Sequence, residues 1–245
     1  MANVAIVGGT GLVGANIVNT LLALPTVAHI DFIARRPPTN ETTEELIESH
    51  PGKLSRFIST EPPATWAAHI RSFHPRPEIF FSSLATTRAN AGGLGPQFAL
   101  EHDANLELAR AAKEAGSRVY VLISAVGADA SSMVAYNRMK GQIEKSILDL
   151  GFEKTVIVRP GLILGTREES RPLEYAIRGI GNVMASISKP WLSDWWAQDA
   201  SEIARAAVSA GMKALEDTGT EGQQKVTILN GKDIIRLGRT EWKAT

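Results

Sequence analysis

One feature of the 245-residue sequence limits its fold more than any other. The short apolar run Asn3-Val-Ala-Ile-Val7 ends in Gly8-Gly-Thr-Gly-Leu-Val-Gly14. A helical pattern follows at once, carrying Ile17, Leu21, Leu22 and Leu24 until Pro25 stops it. Glycines at 8, 11 and 14 have the spacing of a strand-to-helix turn that binds a dinucleotide diphosphate. The first permits the tight turn, the second lets the backbone approach the phosphates, and the third lets the helix pack closely on the strand. The helix N-terminus then offers free N–H groups and partial positive charge.

The rest of the chain repeats the same rhythm. Apolar runs at Ile30–Ala34, Leu54–Ile58, Ile79–Ser82, Val119–Ser124 and Thr155–Val158 alternate with helical patterns at Gln97–Ala115 and Met133–Leu150. Strands alternating with helices predict βαβ units and a parallel sheet. The fold class is therefore α/β, a Rossmann-type doubly wound sheet. Residues 1–160 form the dinucleotide-binding core, and 161–245 form a small C-terminal substrate or lid region in the same compact domain. That region holds an amphipathic helix over Ser201–Leu215 and a last strand over Lys225–Leu229.

Composition removes several classes of function. Basic and acidic residues are 26 each, so the chain has no general electrostatic grip on nucleic acid or anionic membrane. Cysteine is absent, which excludes disulfides, thiol nucleophiles and cysteine-ligated metals. The five histidines show no metal-ligand spacing, so no metal site is expected. No apolar run reaches the ~18 residues of a spanning helix, and Asn3 starts the first strand too early for a cleavable leader. Gly-x-Ser-x-Gly is absent, which argues against an α/β-hydrolase.

Two sets of residues carry candidate chemistry. The second strand ends in Arg35-Arg36, where an NAD site usually has an acid for the ribose 2′-OH. Two arginines suit a 2′-phosphate, which favours NADP over NAD; the alternative is a pair of solvated surface arginines. Asp31 lies inside the strand, poorly placed for the ribose. Tyr136 and Lys140 are four apart on a helix and share a face. Ser124 closes the preceding strand at the carboxyl edge of the sheet, where such folds bind ligands. Ser124 would orient a carbonyl oxygen, Tyr136 would protonate it as hydride arrives, and Lys140 would activate the phenol and hold the ribose. Poising a phenol near neutrality takes roughly 4 kcal/mol, and one ammonium ~4 Å away at an effective dielectric of ~20 supplies about that. A Y-x-x-x-K pair without this context is most often a solvated helix face.

Taken together, these residues resemble the atypical branch of the short-chain dehydrogenase/reductase superfamily. Ser83-Leu-Ala-Thr-Thr-Arg88, Leu122-Ile-Ser-Ala-Val-Gly-Ala-Asp129, Tyr136-Asn-Arg-Met-Lys-Gly141, Arg159-Pro-Gly161 and Arg167-Glu-Glu-Ser-Arg-Pro172 look like the HIV Tat-interacting-protein oxidoreductases and their fungal "found in mitochondrial proteome" branch. The resemblance implies that Thr10, Gly11, Leu12 and Val13 touch the diphosphate and Arg35 and Arg36 the 2′-phosphate. It also implies that Leu84 and Ala85 line the crevice and Arg171 reaches the cofactor from the C-terminal region. It further implies a peripheral protein of the mitochondrial outer membrane and a homodimer. One departure stands out: where relatives read Leu-x-Ser-Ser, this chain reads Ser124-Ala125.

The expected function is NADP-dependent hydride transfer to or from a small, apolar carbonyl or alcohol. Ala125 keeps open an NADPH-binding scaffold without turnover, and a non-redox isomerase or cyclase on the same fold is a third reading. Trp191, Trp195 and Trp196 form either a substrate lid or an interface with membrane or partner, or they simply pack the C-terminal region.

Overall fold

The computed structural model describes residues 1–38, 41–165, 197–217 and 225–243. Strand and helix alternate as β1 (Ala2–Val7), α1 (Leu12–Ala23), β2 (Val27–Ala34), α2 (Glu41–Ser49), β3 (Leu54–Ile58), α3 (Ala67–Arg71) and β4 (Ile79–Ser82). Next come α4 (Arg88–Ala91), α5 (Leu94–Phe98), α6 (Asn105–Glu114), β5 (Val119–Ile123), α7 (Ala135–Asp149) and β6 (Lys154–Val158). The short strands β7 (Leu162–Leu164) and β8 (Ala197–Asp199) are followed by α8 (Ala200–Glu216), β9 (Lys225–Leu229) and α9 (Gly231–Ile235). Seven strands form one parallel sheet in the order β3-β2-β1-β4-β5-β6-β9, while β7 and β8 pair separately. This is the Rossmann-type architecture expected.

The middle of the sheet is covered on both faces, so its inner strands are buried with little alternation, while the edge strands β3 and β9 are more exposed. In β1, Val4 and Ile6 join α1 and α8 through Ile17, Leu21, Ile203 and Ala207. Ala5 and Val7 join the other layer, with Ile70 of α3, Leu108 of α6 and Ile143 of α7. Burying side chains of this size contributes roughly 1.5–3 kcal/mol each. The described part of the 161–245 region builds onto this core: α8 packs on α1, and β9 adds a strand beside β6. Arg171 and the tryptophans at 191, 195 and 196 lie outside the described residues.

Several boundaries differ from expectation. β2 begins at Val27, three residues before the apolar run. The helix expected over Gln97–Ala115 begins at Leu94 and passes through a π-helical stretch, Ala99–Ala104, before α6. The helix expected over Met133–Leu150 begins at Ala135, because Val134 is extended. The strand expected to run through Ser124 ends at Ile123.

The glycine turn is set by contact between backbones. Gly8 has φ of 77°, and a Cβ there would lie 2.5 Å from the Ser83 carbonyl beyond β4. A Cβ on Gly14 would lie 2.1 Å from the Gly8 oxygen, so only glycine lets α1 start so close beneath β1. Gly95, by contrast, has open space around its missing side chain and no positive φ. Gly14→Ala should lower stability by about 3 kcal/mol, whereas Gly95→Ala should be neutral or raise it by up to about 1 kcal/mol. Urea unfolding of the two variants checks this; equal effects would contradict the close approach at Gly14.

Candidate functional site

The order of strands reverses between β1 and β4, which leaves a crevice at their carboxyl ends. Val7 is level with Ile33 of β2 and Ser82 of β4, so the turns after all three strands emerge at one edge. Gly8 to Val13 are at this edge, and the Gly11 amide donates to the Gly8 carbonyl at 3.0 Å. No side chain caps α1 at Gly11, and no acid occupies its first turn. The first-turn amides of Leu12 and Val13 are thus left to an anionic ligand. Arg35 and Arg36 are exposed just beyond β2. Leu84 is half-buried and Ala85 exposed in the loop after β4.

Asp31 is buried inside β2, as expected, with its Oδ1 3.3 Å from His29 Nε2. Burial pushes its carboxyl above the usual carboxylate range, with His29 pulling the other way. It is not placed to meet a ligand at the edge.

Across the crevice, α7 presents Tyr136 half-exposed and Lys140 only 4 % exposed. Lys140 Nζ lies 5.8 Å from the centre of the Tyr136 ring, so the two share a face as their spacing requires. The buried ammonium meets Glu101 Oε2 at 2.7 Å, a close charge contact whose angle is poor for a hydrogen bond. Glu101 was not legible as a site residue. It is followed by His102 and Asp103, so it reads as one more polar residue, and the π-helical stretch that turns it inward has no compositional mark. Such stretches recur at functional sites. Glu101 Oε1 also accepts from the Thr86 amide at 3.2 Å and from Gln97 Nε2 at 3.0 Å. A chain of contacts therefore runs from the glycine turn through the 83–87 loop to Glu101, Lys140 and Tyr136.

Ser124 departs from the role expected of it. Its hydroxyl donates to Glu144 Oε1 at 2.5 Å, and the residue is 5 % exposed. Arg159 clamps the same carboxylate through Nε at 3.0 Å and through its second guanidinium nitrogen at 2.5 Å. That clamp raises the Arg159 pKa above its ordinary value. The proton of Ser124 is thus spent on Glu144, which leaves only its lone pairs for a ligand. A second buried network lies under the β4 loop: Ser82 and Tyr120 both donate to Asn105 Oδ1, at 2.6 and 3.2 Å. Burial raises the Tyr120 phenol well above its ordinary pKa, so it is a structural donor. Among the described residues no cluster of His, Asp or Glu is arranged to hold a metal ion.

Solved structures with this fold include a UDP-glucose/N-acetylglucosamine 4-epimerase from Campylobacter jejuni, with a TM-score of 0.67 and 12 % identity over 96 % of this chain and 82 % of the other. A short-chain dehydrogenase/reductase from Saccharomyces cerevisiae aligns at TM-score 0.60 and 16 % identity, over 92 % and 96 %. A Bordetella bronchiseptica enzyme solved with NAD+ aligns at 0.63 and 15 %, over 94 % and 75 %. No protein-family model matches the sequence. Fold and glycine turn together define a Rossmann-type α/β protein. Within that class the chain belongs to the fungal family of mitochondrial FMP52 proteins. It is 65 % identical over 243 residues to the protein of that name from Coccidioides immitis, covering 99 % of each. It is 51 % identical over 238 residues to that of Aspergillus oryzae, covering 97 % of this chain and 98 % of the other.

The raised pKa of Asp31 has a consequence for stability. The folded chain holds this proton more tightly than the unfolded chain, so ionising it as pH rises removes stability. Asp31→Asn should therefore gain on wild type between about pH 3 and 6, where the carboxyl ionises. Denaturant unfolding at both pH values checks this, and a difference that is flat or falls with pH would contradict the assignment.

Proposed function

We propose that the chain is an NADP-dependent oxidoreductase acting on a small, apolar carbonyl or alcohol. The observation that carries this is the continuous path from the uncapped N-terminus of α1 to Tyr136: Gly8 against Ser83, Thr86 to Glu101, Glu101 to Lys140, and Lys140 beside the phenol. An anion-binding turn and an acid–base pair joined in this way suit reduction or oxidation at a bound dinucleotide. The C. jejuni epimerase likeness supports the fold alone, and the B. bronchiseptica enzyme's NAD+ supports a nicotinamide dinucleotide.

The site fits such a cofactor: the backbone approach at Gly8 and Gly14 leaves no room for side chains, and the α1 amides have no protein cap. The turn from Thr10 to Val13 would hold the diphosphate, Arg35 and Arg36 the 2′-phosphate, and Lys140 the nicotinamide ribose. Leu84 and Ala85 would line the crevice. Bound nicotinamide supplies or accepts the hydride. Tyr136 gives its proton to the carbonyl oxygen in reduction and takes it back in oxidation, and Lys140 stabilises the phenolate left behind. Ser124 serves through Glu144 and Arg159, which hold the strand ends that frame the substrate. The Thr86-Thr-Arg88 and Glu169-Ser-Arg-Pro172 segments connect this reading to the HIV Tat-interacting-protein oxidoreductases.

One observation favours a second reading, an NADPH-binding scaffold without turnover: Ser124 is engaged with Glu144, and Ala125 has no hydroxyl to replace it. Titration with NADPH and NADH, followed by turnover on a broad carbonyl panel, separates the two. Each charge-assisted contact to the 2′-phosphate is worth about 1.5–3 kcal/mol. Arg35→Ala/Arg36→Ala should therefore weaken NADPH by at least about tenfold and leave NADH unchanged. Tyr136→Phe should lower turnover by about 10²–10⁴ with NADPH affinity retained. NADPH binding without oxidation by any compound would favour the scaffold, and no binding of either cofactor would remove both readings.

The relatives are named as mitochondrial proteins, and we extend that location to this chain as a peripheral protein of the outer membrane. No helix among the described residues is long and apolar enough to cross a membrane. Carbonate washing of isolated mitochondria should release the chain; retention in the pellet, or absence from mitochondria, would contradict this.

A further inference from the structure

We propose that Glu101 is the positioning residue that keeps Lys140 charged and in place beside Tyr136, and that ties this lysine to the loop after β4. The proposal rests on the oxidoreductase reading for its meaning, though not for its test.

The argument starts from burial. Glu101 and Lys140 are 2 % and 4 % exposed. An ammonium buried to that extent loses its proton unless a countercharge stands beside it. Glu101 Oε2, 2.7 Å from Nζ, supplies that countercharge. The other charged and titratable groups around the pair are committed elsewhere. On α7, Glu144 is held by Ser124 and Arg159, and Arg138 donates to the Ser132 carbonyl. On the π-helical stretch, His102 bonds Asp103 and Ser146. In the loop before α7, Asp129 accepts from Ser131. Tyr136 offers Lys140 the face of its ring. Among the described residues, Glu101 is thus the carboxylate that pairs with Lys140.

The second oxygen of Glu101 does different work. It accepts from the Thr86 amide and from Gln97 Nε2, and Gln97 in turn donates to the Thr86 carbonyl at 3.1 Å. Both backbone groups of Thr86 are therefore gripped from the helix that carries Glu101. The same carboxylate fixes the crevice loop and the lysine, so the two cannot shift independently. Glu101 touches neither reacting atom of the proposed chemistry; it acts through Lys140.

The test reads the proton on Lys140 directly. Protein labelled with ¹³C at lysine Cε is titrated by NMR, with the Lys140 resonance assigned by its loss in Lys140→Met. In Glu101→Gln the Lys140 midpoint should fall by at least about 1 pH unit relative to wild type. Glu101→Asp, which keeps the charge, should fall less than Glu101→Gln. A smaller fall in Glu101→Gln, or an equal fall in both variants, would overturn the proposal, because a residue needed only for packing would not move the proton. Should Glu101→Gln not fold, the reciprocal measurement decides. In Lys140→Met the Glu101 carboxyl, followed by ¹³Cδ, should titrate at least about 1 pH unit higher than in wild type, and no rise would overturn the proposal. Neither titration uses NADPH or a substrate. Failure of cofactor binding or turnover would therefore sink the oxidoreductase reading, while the lysine proton decides the role of Glu101 separately.

Discussion

The structure depends on a place where three pieces of backbone touch with no side chains between them. Gly8 lies against the carbonyl of Ser83, and Gly14 against the carbonyl of Gly8. This contact brings the N-terminus of α1 up beneath the end of β1 and sets the loop after β4 alongside it. Everything at the carboxyl edge takes its position from there. The uncapped amides of α1 face the crevice because the helix begins so close to the strand. The 83–87 loop is held at its start by Gly8 and Val7 and further along by Glu101.

The electrostatics of the crevice follow a consistent division. Buried charges are paired: Lys140 with Glu101, and Glu144 with Arg159. Exposed arginines at the end of β2 remain toward the solvent side. Burying an ion pair contributes little net stability, because desolvation offsets most of the attraction. What the two pairs provide is geometry. Both are anchored on α7, one turn apart, and each reaches a different neighbour: Lys140 the π-helical stretch, Glu144 the ends of β5 and β6.

Much of this architecture could be read from residues alone, and the parts that could not have physical reasons. The bounds of β3, β4 and β9 matched the apolar runs, because each is a short segment between polar or turn residues. The glycine turn was legible because its constraint is local. The start of α5 was hidden by Gly93, Gly95 and Pro96, which read as loop residues. The register slip over Ala99–Ala104 leaves the composition of a helix unchanged, so the inward turn of Glu101 had no signature. Ser124, Glu144 and Arg159 come from three elements, and only the folded chain shows that the serine proton is already committed. The shared face of Tyr136 and Lys140 was legible because it is a property of one helix, whereas their partners belong to the topology.

The sheet ends on β9, and α1, the helix after the glycine turn, is covered by α8. The apolar face of α1 therefore waits for a helix far along the chain before it is sealed. Contacts between such distant parts of a chain form late and close large loops. A ribosome-bound chain that has emerged only through β6 lacks the helix and strand that cover Ile17, Leu21 and the free edge of β6. The feature that completes the core is thus also the one that leaves the nascent protein longest in need of protection from its neighbours.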